Sequence, residues 1–346
     1  MKIYDSIVIG AGQAGLASAY HLKKQKLDYL VLEASQQTAG SWPNYYDSLT
    51  LFSPARYSSL PEYRFPGDPN RYPTKKEVVS YLTNYAKHFD FHIQTEQKVT
   101  EVTKNNNVFQ VVTESEKYYA KTVIAATGAF SHPYLPNIKG KDQYKGRVLH
   151  SSDYRKVEGF EGKRVVVVGA GNSAVQIAFE LAQVSQVSLA TRKPISFSPQ
   201  QILGKDIHFW FIVSGLDRSP FARGLSTTVS VLDTGIYKEA ISKKKPDTRP
   251  MFSSFTEKGV IWGDGQEEKI DAVLFATGYR PKVMYLKTLQ KALDSSGAPI
   301  QNKGISQSVH GLYYIGLSGQ LAFSSATLRG VGPDAKYVVK HIKRSI

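Results

Sequence analysis

The sequence predicts an α/β fold made of two similar halves, each built on a parallel sheet, because two segments of the chain are echoed later in it. Ile7-Val8-Ile9-Gly10-Ala11-Gly12-Gln13-Ala14-Gly15 returns as Val165-Val166-Val167-Val168-Gly169-Ala170-Gly171-Asn172-Ser173-Ala174. Downstream of each, Val123-Ile124-Ala125-Ala126-Thr127-Gly128 returns as Val273-Leu274-Phe275-Ala276-Thr277-Gly278. Two units of similar plan therefore occupy 1–128 and 164–278, each opening on a glycine-rich turn and closing on Ala-Thr-Gly.

Each element follows from local pattern. The apolar runs rich in branched residues read as parallel strands buried on both faces, and 16–22 and 175–181 read as amphipathic helices. Asn in 104–112, and Gly and Asp in 259–269, sit between strand-like flanks and predict β-hairpins. Residues 134–154, rich in Pro, Gly and Lys, read as a linker. In the C-terminal piece, 312–316 reads as a strand and 333–342 as a closing helix. The 207–213 run is apolar but too short to span a bilayer, so within the irregular 200–223 region a buried lid or interface helix is expected.

Composition narrows the function. Hydrophobic residues at 41% and charged residues at 21% are those of an ordinary globular protein. With no cysteine in 346 residues, disulfide scaffolds, thiolate zinc sites, iron–sulfur clusters and dithiol relays are excluded, and a reducing compartment fits. The formal charge of +15 favours anionic ligands, but its lysines and arginines are dispersed and carry no nucleic-acid-binding signature. His88, His92 and His208 lack ligand spacing, so no metal is expected. The apolar run at the N-terminus is too short for a membrane span and has no cleavage site after it, which makes a cytoplasmic location the expectation.

The glycine-rich turns carry the chemistry. A Gly-x-Gly-x-x-Gly pattern after a strand and opening a helix is the context of a dinucleotide fingerprint. Gly10 permits the tight turn, Gly12 lets backbone approach a pyrophosphate, and Gly15 lets helix and strand pack closely. Gln13 and Ala14 open the helix on which the pyrophosphate would rest. The second copy places Gly169, Gly171, Asn172 and Ser173 in the same roles. The next strand end after each copy separates two cofactors. The strand 29–32 ends in Glu33, suited to a ribose 2′-OH; a 2′-phosphate there would face a like charge at a cost of about 4 kcal/mol. The strand 187–190 ends in Thr191-Arg192-Lys193 with no acid, and Arg192 suits a 2′-phosphate. The first site is therefore expected to take FAD or NAD, and the second NADPH.

In this order the motifs resemble the flavin-containing monooxygenase family, especially its short bacterial members. The family linker pattern Phe-x-Gly-x-x-x-His-x-x-x-Tyr or Trp is matched by Tyr144, Gly146, His150 and Tyr154, with tyrosine replacing phenylalanine. Ala39-Gly40-Ser41-Trp42 is similar to the family's flavin-proximal stretch, and the 325–335 segment to the one closing over the flavin. The resemblance implies FAD in the first domain (1–155 and 279–346) and NADPH in a second domain (156–278) inserted into it. It implies Gly40, Trp42, Thr127 and Gly128 at the flavin, Thr277 and Gly278 at the second strand end, and a hinge role near NADPH for His150. The implied activity is hydride transfer from NADPH to FAD, then O2 activation as a C4a-peroxyflavin acting on a small sulfur or nitrogen nucleophile. No side chain is singled out as catalytic, because the flavin carries the chemistry.

Two departures bear on that activity. The asparagine that supports the flavin peroxide in many family members is missing from Leu51-Phe52-Ser53-Pro54, leaving Ser53 or a backbone group to substitute. No Asp-x-x-Arg supplies the arginine of ketone-oxidising relatives. The alternatives are an NADPH-dependent flavin reductase or oxidase, which reduces a diffusible acceptor or O2 without oxygenating a substrate, and a redox sensor without turnover. The expected partners are a small molecule and O2, with a homodimer as the commonest soluble assembly.

Overall fold

Both echoes fold as strand–turn–helix–strand units in the computed structural model, which describes residues 1–346 apart from 129, 131, 220–229 and 282. In the first, strand Ile3–Ile9 runs through the turn into helix Gln13–Lys24 and on to strand Tyr29–Leu32. In the second, Arg164–Val168 leads to helix Asn172–Leu181 and strand Gln186–Thr191. Each opening strand pairs in parallel with its successor on one side and with the Ala-Thr-Gly strand on the other.

The first sheet has nine strands. Along it lie Gln301–Asn302, Ile305–Ser306, Leu312–Tyr314, Lys117–Ala125, Ile3–Ile9, Tyr29–Leu32 and Ile93–Gln94, while the hairpin Val99–Asn105/Val108–Thr113 branches from Lys117–Ala125. The second sheet is all parallel, in the order Asp247–Pro250, Gln186–Thr191, Arg164–Val168, Ala272–Phe275, Arg147–His150. The chain thus leaves the first sheet after Ala125, builds the second, and returns to add Leu312–Tyr314 beside Lys117–Ala125.

Side-chain alternation explains why both sheets are buried on two faces. Val8 points into a core shared with the helices Gln13–Lys24 and Val331–Ser345, while its neighbours Ile7 and Ile9 enter a second core with Phe109, Val111 and Leu286. In the other half Val165 and Val167 pack toward Ile177 and Leu181, and Val166 and Val168 toward Phe252, Trp262 and Phe275. A continuous apolar run is what a strand covered on both sides requires.

The hairpins expected in 104–112 and 259–269 are present, and the closing helix runs Val331–Ser345. The linker expected over 134–154 needs correction. It contains a turn of 3₁₀ helix, Lys141–Gln143, and the edge strand Arg147–His150, whose Leu149 is buried against the second sheet. The Ile207–Val213 run is a helix, buried at Ile207 and His208 but exposed at Ile212 and Val213. Of the 200–223 region, 220–223 lie outside the described residues. Among the described residues no helix is long and apolar enough to cross a membrane.

Two consequences can be measured. A Cβ on Gly15 would lie 1.8 Å from the Gly10 carbonyl oxygen, so Gly15→Ala is expected to destabilise the protein by at least about 2 kcal/mol in urea titrations, despite alanine's better helix propensity. His21, on the helix after the first turn, meets the Gly332 carbonyl at 3.1 Å. Burial, helped by Lys24 and Lys336 and opposed by that hydrogen bond, pushes its ring down from 6.5 to about 4. The unfolded chain then binds the extra proton first, so the stability is fully present above about 6.5 and is lost as pH falls towards about 4. Unfolding free energy should drop by about 2 kcal/mol over that window, and His21→Gln should flatten the slope.

Candidate active site

Both glycine turns open into one cavity of about 2270 Å³. Two features of the parallel sheets bring them there: the fingerprint turns lie at the carboxyl ends of their strands, and so do the Ala-Thr-Gly strand ends. The Ala126 N–H donates to Ile9 O, and a Cβ on Gly10 would meet Ala126 O at 2.9 Å. In the second half the Ala276 N–H donates to Val168 O, and a Cβ on Gly169 would meet Ala276 O at 2.5 Å. Gly10 and Gly169 have positive φ, +102° and +146°, which admits this crossing at no steric cost.

The helices behind the turns start directly after Gly12 and Gly171, and neither has a side-chain cap. Their first N–H groups are therefore free to bind an anion beside the cavity. Gly10, Gly12, Gln13 and Ala14 line the cavity, as do Gly169, Gly171, Asn172 and Ser173. Gly15 does not line it. Its part is the close helix–strand contact already described.

Glu33 lines the cavity and is buried. Its Oε2 accepts from the Ala11 N–H at 2.6 Å, and its Oε1 from the Ser35 N–H and hydroxyl at 3.0 and 2.6 Å. Each carboxylate oxygen can accept twice, so capacity remains on Oε2 for a ligand hydroxyl. Gly40 lies against Gly12, where a Cβ would come within 2.9 Å of the Gly12 Cα. Trp42 donates from Nε1 to Gln13 Oε1 at 3.0 Å, and Gln13 Nε2 donates to Ala326 O at 2.5 Å. That relay ties the 42–44 turn, the fingerprint helix and the 325–335 segment together around the cavity.

At the other strand ends, Thr127 Oγ1 lies 3.2 Å from the Tyr285 hydroxyl, and Thr277 donates to the Tyr134 carbonyl. Thr127, Gly128, Thr277 and Gly278 all line the cavity. Arg192 lines it too, is exposed, and makes no ion pair among the described residues. His150 is buried away from the lining. The Ser152 N–H donates to its Nδ1 at 3.0 Å, so the proton sits on Nε2, which donates to Gly278 O at 3.0 Å. Burial depresses its ring, so the neutral tautomer persists in the fold. His150 thereby pins the second Ala-Thr-Gly corner to the 151–155 turn.

The halves are clasped by polar contacts across the cavity rim. Tyr46 donates to Gln176 Oε1 at 2.5 Å, and Ser48 and Tyr154 both donate to Glu180 Oε2, at 2.8 and 2.9 Å. Lys75, buried, holds the 45–47 loop through Tyr45 O and Asp47 Oδ1. On the far wall Arg329 grips Asp217 Oδ1 from Nε and Nη2, at 3.1 and 2.7 Å, with both side chains nearly buried.

The structure also collects residues that sequence patterns did not single out. Asp206 accepts from the Tyr72 hydroxyl, Gln200 Nε2 and the His208 backbone N–H, and lies 2.7 Å from His208 Nδ1. The Asp206-x-His208 pair was legible in the chain, but Tyr72 and Gln200 join it only through the fold. Ser53 lines the cavity and is buried, with its hydroxyl 2.9 Å from that of Ser58.

Residues 7–211 match the family model described as pyridine nucleotide-disulphide oxidoreductase. The chain is 36% identical to an uncharacterized CzcO-like oxidoreductase of Geobacillus kaustophilus, over 98% of both chains. It is 27% identical to the probable indole-3-pyruvate monooxygenase YUCCA8 of Arabidopsis thaliana, over 97% of this chain and 88% of that one. Its fold superimposes on a flavin-containing monooxygenase from Stenotrophomonas maltophilia with a TM-score of 0.88, at 29% identity and 99% coverage of both chains. The chain belongs to the pyridine nucleotide-disulphide oxidoreductase family, and is an oxidoreductase of the flavin-monooxygenase type.

Proposed function

We propose that the protein is an NADPH-dependent, FAD-containing monooxygenase acting on a small sulfur or nitrogen nucleophile. The single observation that carries this is the one cavity of about 2270 Å³ lined by both fingerprint turns. Pockets for one drug-sized ligand run to about 300–1,000 Å³, so this space suits two dinucleotides meeting end to end. The residues fit both groups. FAD would lie along Gly10, Gly12, Gln13, Ala14 and Gly40, with its ribose at Glu33 and its ring system near Trp42, Thr127 and Gly128. NADPH would lie along Gly169, Gly171, Asn172 and Ser173, with its 2′-phosphate at Arg192, which has no ion pair among the described residues, and its other end near Thr277 and Gly278. When bound, FAD supplies hydride acceptance and oxygen activation.

The chain's own residues bind, orient and exclude water. The free N–H groups of the two helix starts neutralise the pyrophosphates, and the Trp42–Gln13–Ala326 relay holds the 325–335 segment over the cavity. In this proposal the FAD domain is 1–155 with 279–346, and the NADPH domain is 156–278, to which the fold lends the additional edge strand Arg147–His150. A cytoplasmic homodimer completes the proposal; the cysteine-free chain suits a reducing compartment.

One observation favours a second function, an NADPH-dependent flavin reductase or oxidase. Ser53, the side chain left to substitute for the asparagine missing from the 51–54 stretch, already shares its hydroxyl with Ser58. The experiment that separates the two is anaerobic reduction with NADPH followed by oxygen, with and without a thioether. A monooxygenase yields sulfoxide matched to the NADPH used, whereas a reductase or oxidase yields stoichiometric peroxide and leaves the thioether intact. Absence of any sustained NADPH oxidation would remove both and leave a sensor.

Two substitutions test the cofactor sites. Arg192→Gln should raise the KM for NADPH by about ten- to a hundredfold while changing that for NADH little, as steady-state flavin reduction would show. A Cβ on Gly12 would meet only Gly40 Cα, at an ordinary 3.7 Å, so Gly12→Ala should fold with an unchanged apoprotein melting temperature yet retain FAD poorly in gel filtration.

A further inference from the structure

One wall of the cavity has a chemistry that neither fingerprint uses. It is formed by helix Ile207–Val213 and the residues facing it; beside Arg329, whose guanidinium is held by Asp217, and Ser53, whose hydroxyl is shared with Ser58, Phe52, Phe211, Leu216, Phe323 and Leu328 give it an aromatic and aliphatic surface into which one imidazole, His208, is set. That ring is only 2% exposed. It stacks near Phe52 and Tyr57, with centroids 6.2 and 6.4 Å away and planes within 22° and 25°, and meets Phe211 edge-on at 6.0 Å.

The hydrogen bonds set its tautomer. Asp206 Oδ2 is taken by the Tyr72 hydroxyl at 2.6 Å and Gln200 Nε2 at 2.8 Å, and Oδ1 by the His208 backbone N–H at 2.9 Å. Burial works to raise the Asp206 carboxyl, but these donors and the His208 ring together hold it below its ordinary value, so it stays an acceptor. Burial and the adjacent Asp206 raise Tyr72, which keeps its proton and remains a donor. The 2.7 Å contact between Asp206 Oδ1 and His208 Nδ1 therefore carries its hydrogen on Nδ1. With its hydrogen on Nδ1, the ring can present a lone pair on Nε2, and no described residue partners that atom.

The wall is anchored to the rest of the molecule. Gln200 Nε2 also donates to Phe52 O at 3.0 Å, Tyr72 comes from the first half, and Asp217 is held by Arg329 and by the Ser324 N–H and hydroxyl. An imidazole oriented by a buried carboxylate on a fixed wall is positioned to accept a hydrogen bond from a molecule in the cavity.

We infer that this wall is the substrate site and that its ligand is an arylamine bearing at least one N–H, seated among the aromatic side chains and donating that N–H to His208 Nε2. The inference rests on the monooxygenase proposal, which supplies the nitrogen nucleophile, and narrows it to aromatic amines. An acceptor without a partner among the described residues, set among aromatic side chains, penalises a ligand that cannot donate, because the nitrogen covered by that ligand would stay unsatisfied.

The test is calorimetric titration of the purified wild-type protein with aniline, N-methylaniline, N,N-dimethylaniline and benzoate, alongside His208→Phe and His208→Gln. Aniline and N-methylaniline should bind about tenfold more tightly than N,N-dimethylaniline, which has the ring but no N–H. His208→Phe should erase that difference, and His208→Gln, whose amide oxygen can still accept, should restore part of it. Equal affinities for the three amines, or a preference for benzoate, would overturn the inference, because benzoate would require a donor on Nε2. If the variants fail to fold, judged by melting, the wild-type selectivity alone decides. FAD content and reduction by NADPH are measured on the same wild-type sample. Their absence defeats the monooxygenase proposal, whereas their presence with no amine selectivity defeats only the assignment of His208.

Discussion

The site depends on a backbone crossing made twice: the carbonyl of Ala126 beneath Gly10, and that of Ala276 beneath Gly169. Neither crossing has room for a side chain. Because a glycine stands at each, the third strand end can lie beside the turn, and the helix start is left facing open space. Had either turn been moved outward by even one methyl group, the free N–H groups behind it would have lost their place on the shared cavity. The parallel pairing of Ile3–Ile9 with Lys117–Ala125, and of Arg164–Val168 with Ala272–Phe275, sets this geometry residue by residue.

Much of this was legible in the chain because it is local. A run of branched residues, glycines at fixed offsets and an acid or an arginine at the next strand end are all near one another in sequence, and each has a physical reason to be there. The closing helix, read as 333–342, is longer by Val331–Gly332 and Lys343–Ser345, residues that packing and fraying decide rather than periodicity. The strand Arg147–His150 was hidden because its partner, Ala272–Phe275, lies far along the chain and its flanks are rich in turn-forming residues. Helix Lys75–His88 went unread although Thr74 and Glu77 form a capping box, a signal that was available. The His208 wall was beyond any local pattern: Tyr72, Gln200 and Phe52 come from three separate segments.

Division of labour between the halves reflects the groups each contributes to the cavity. The fingerprint turns are backbone devices, indifferent to side-chain identity apart from the glycines. In the proposed function, selectivity falls instead to single side chains at their margins: Glu33 against Arg192 for the nucleotide ends, and His208 on the opposite wall. The contacts clasping the halves are mostly hydrogen bonds at a rim, the kind of interface that tolerates small adjustments between domains. The Asp217–Arg329 pair is different in kind. A nearly buried ion pair adds little net stability, but losing one partner leaves a stranded charge, so it fixes the 216–218 turn against the 324–329 segment.

The return of the chain to its first sheet bears on how the protein is made. Residues 147–275 leave the ribosome before 301–314, so the five-stranded sheet has all its strands while the nine-stranded sheet still lacks Leu312–Tyr314 beside Lys117–Ala125. Until that strand and the Val331–Ser345 helix emerge, Val8 and its neighbours have no complete core to enter. The nascent chain thus carries one sheet with its full set of strands beside another that is still open, and an open apolar face is the condition under which incomplete folds are prone to aggregate.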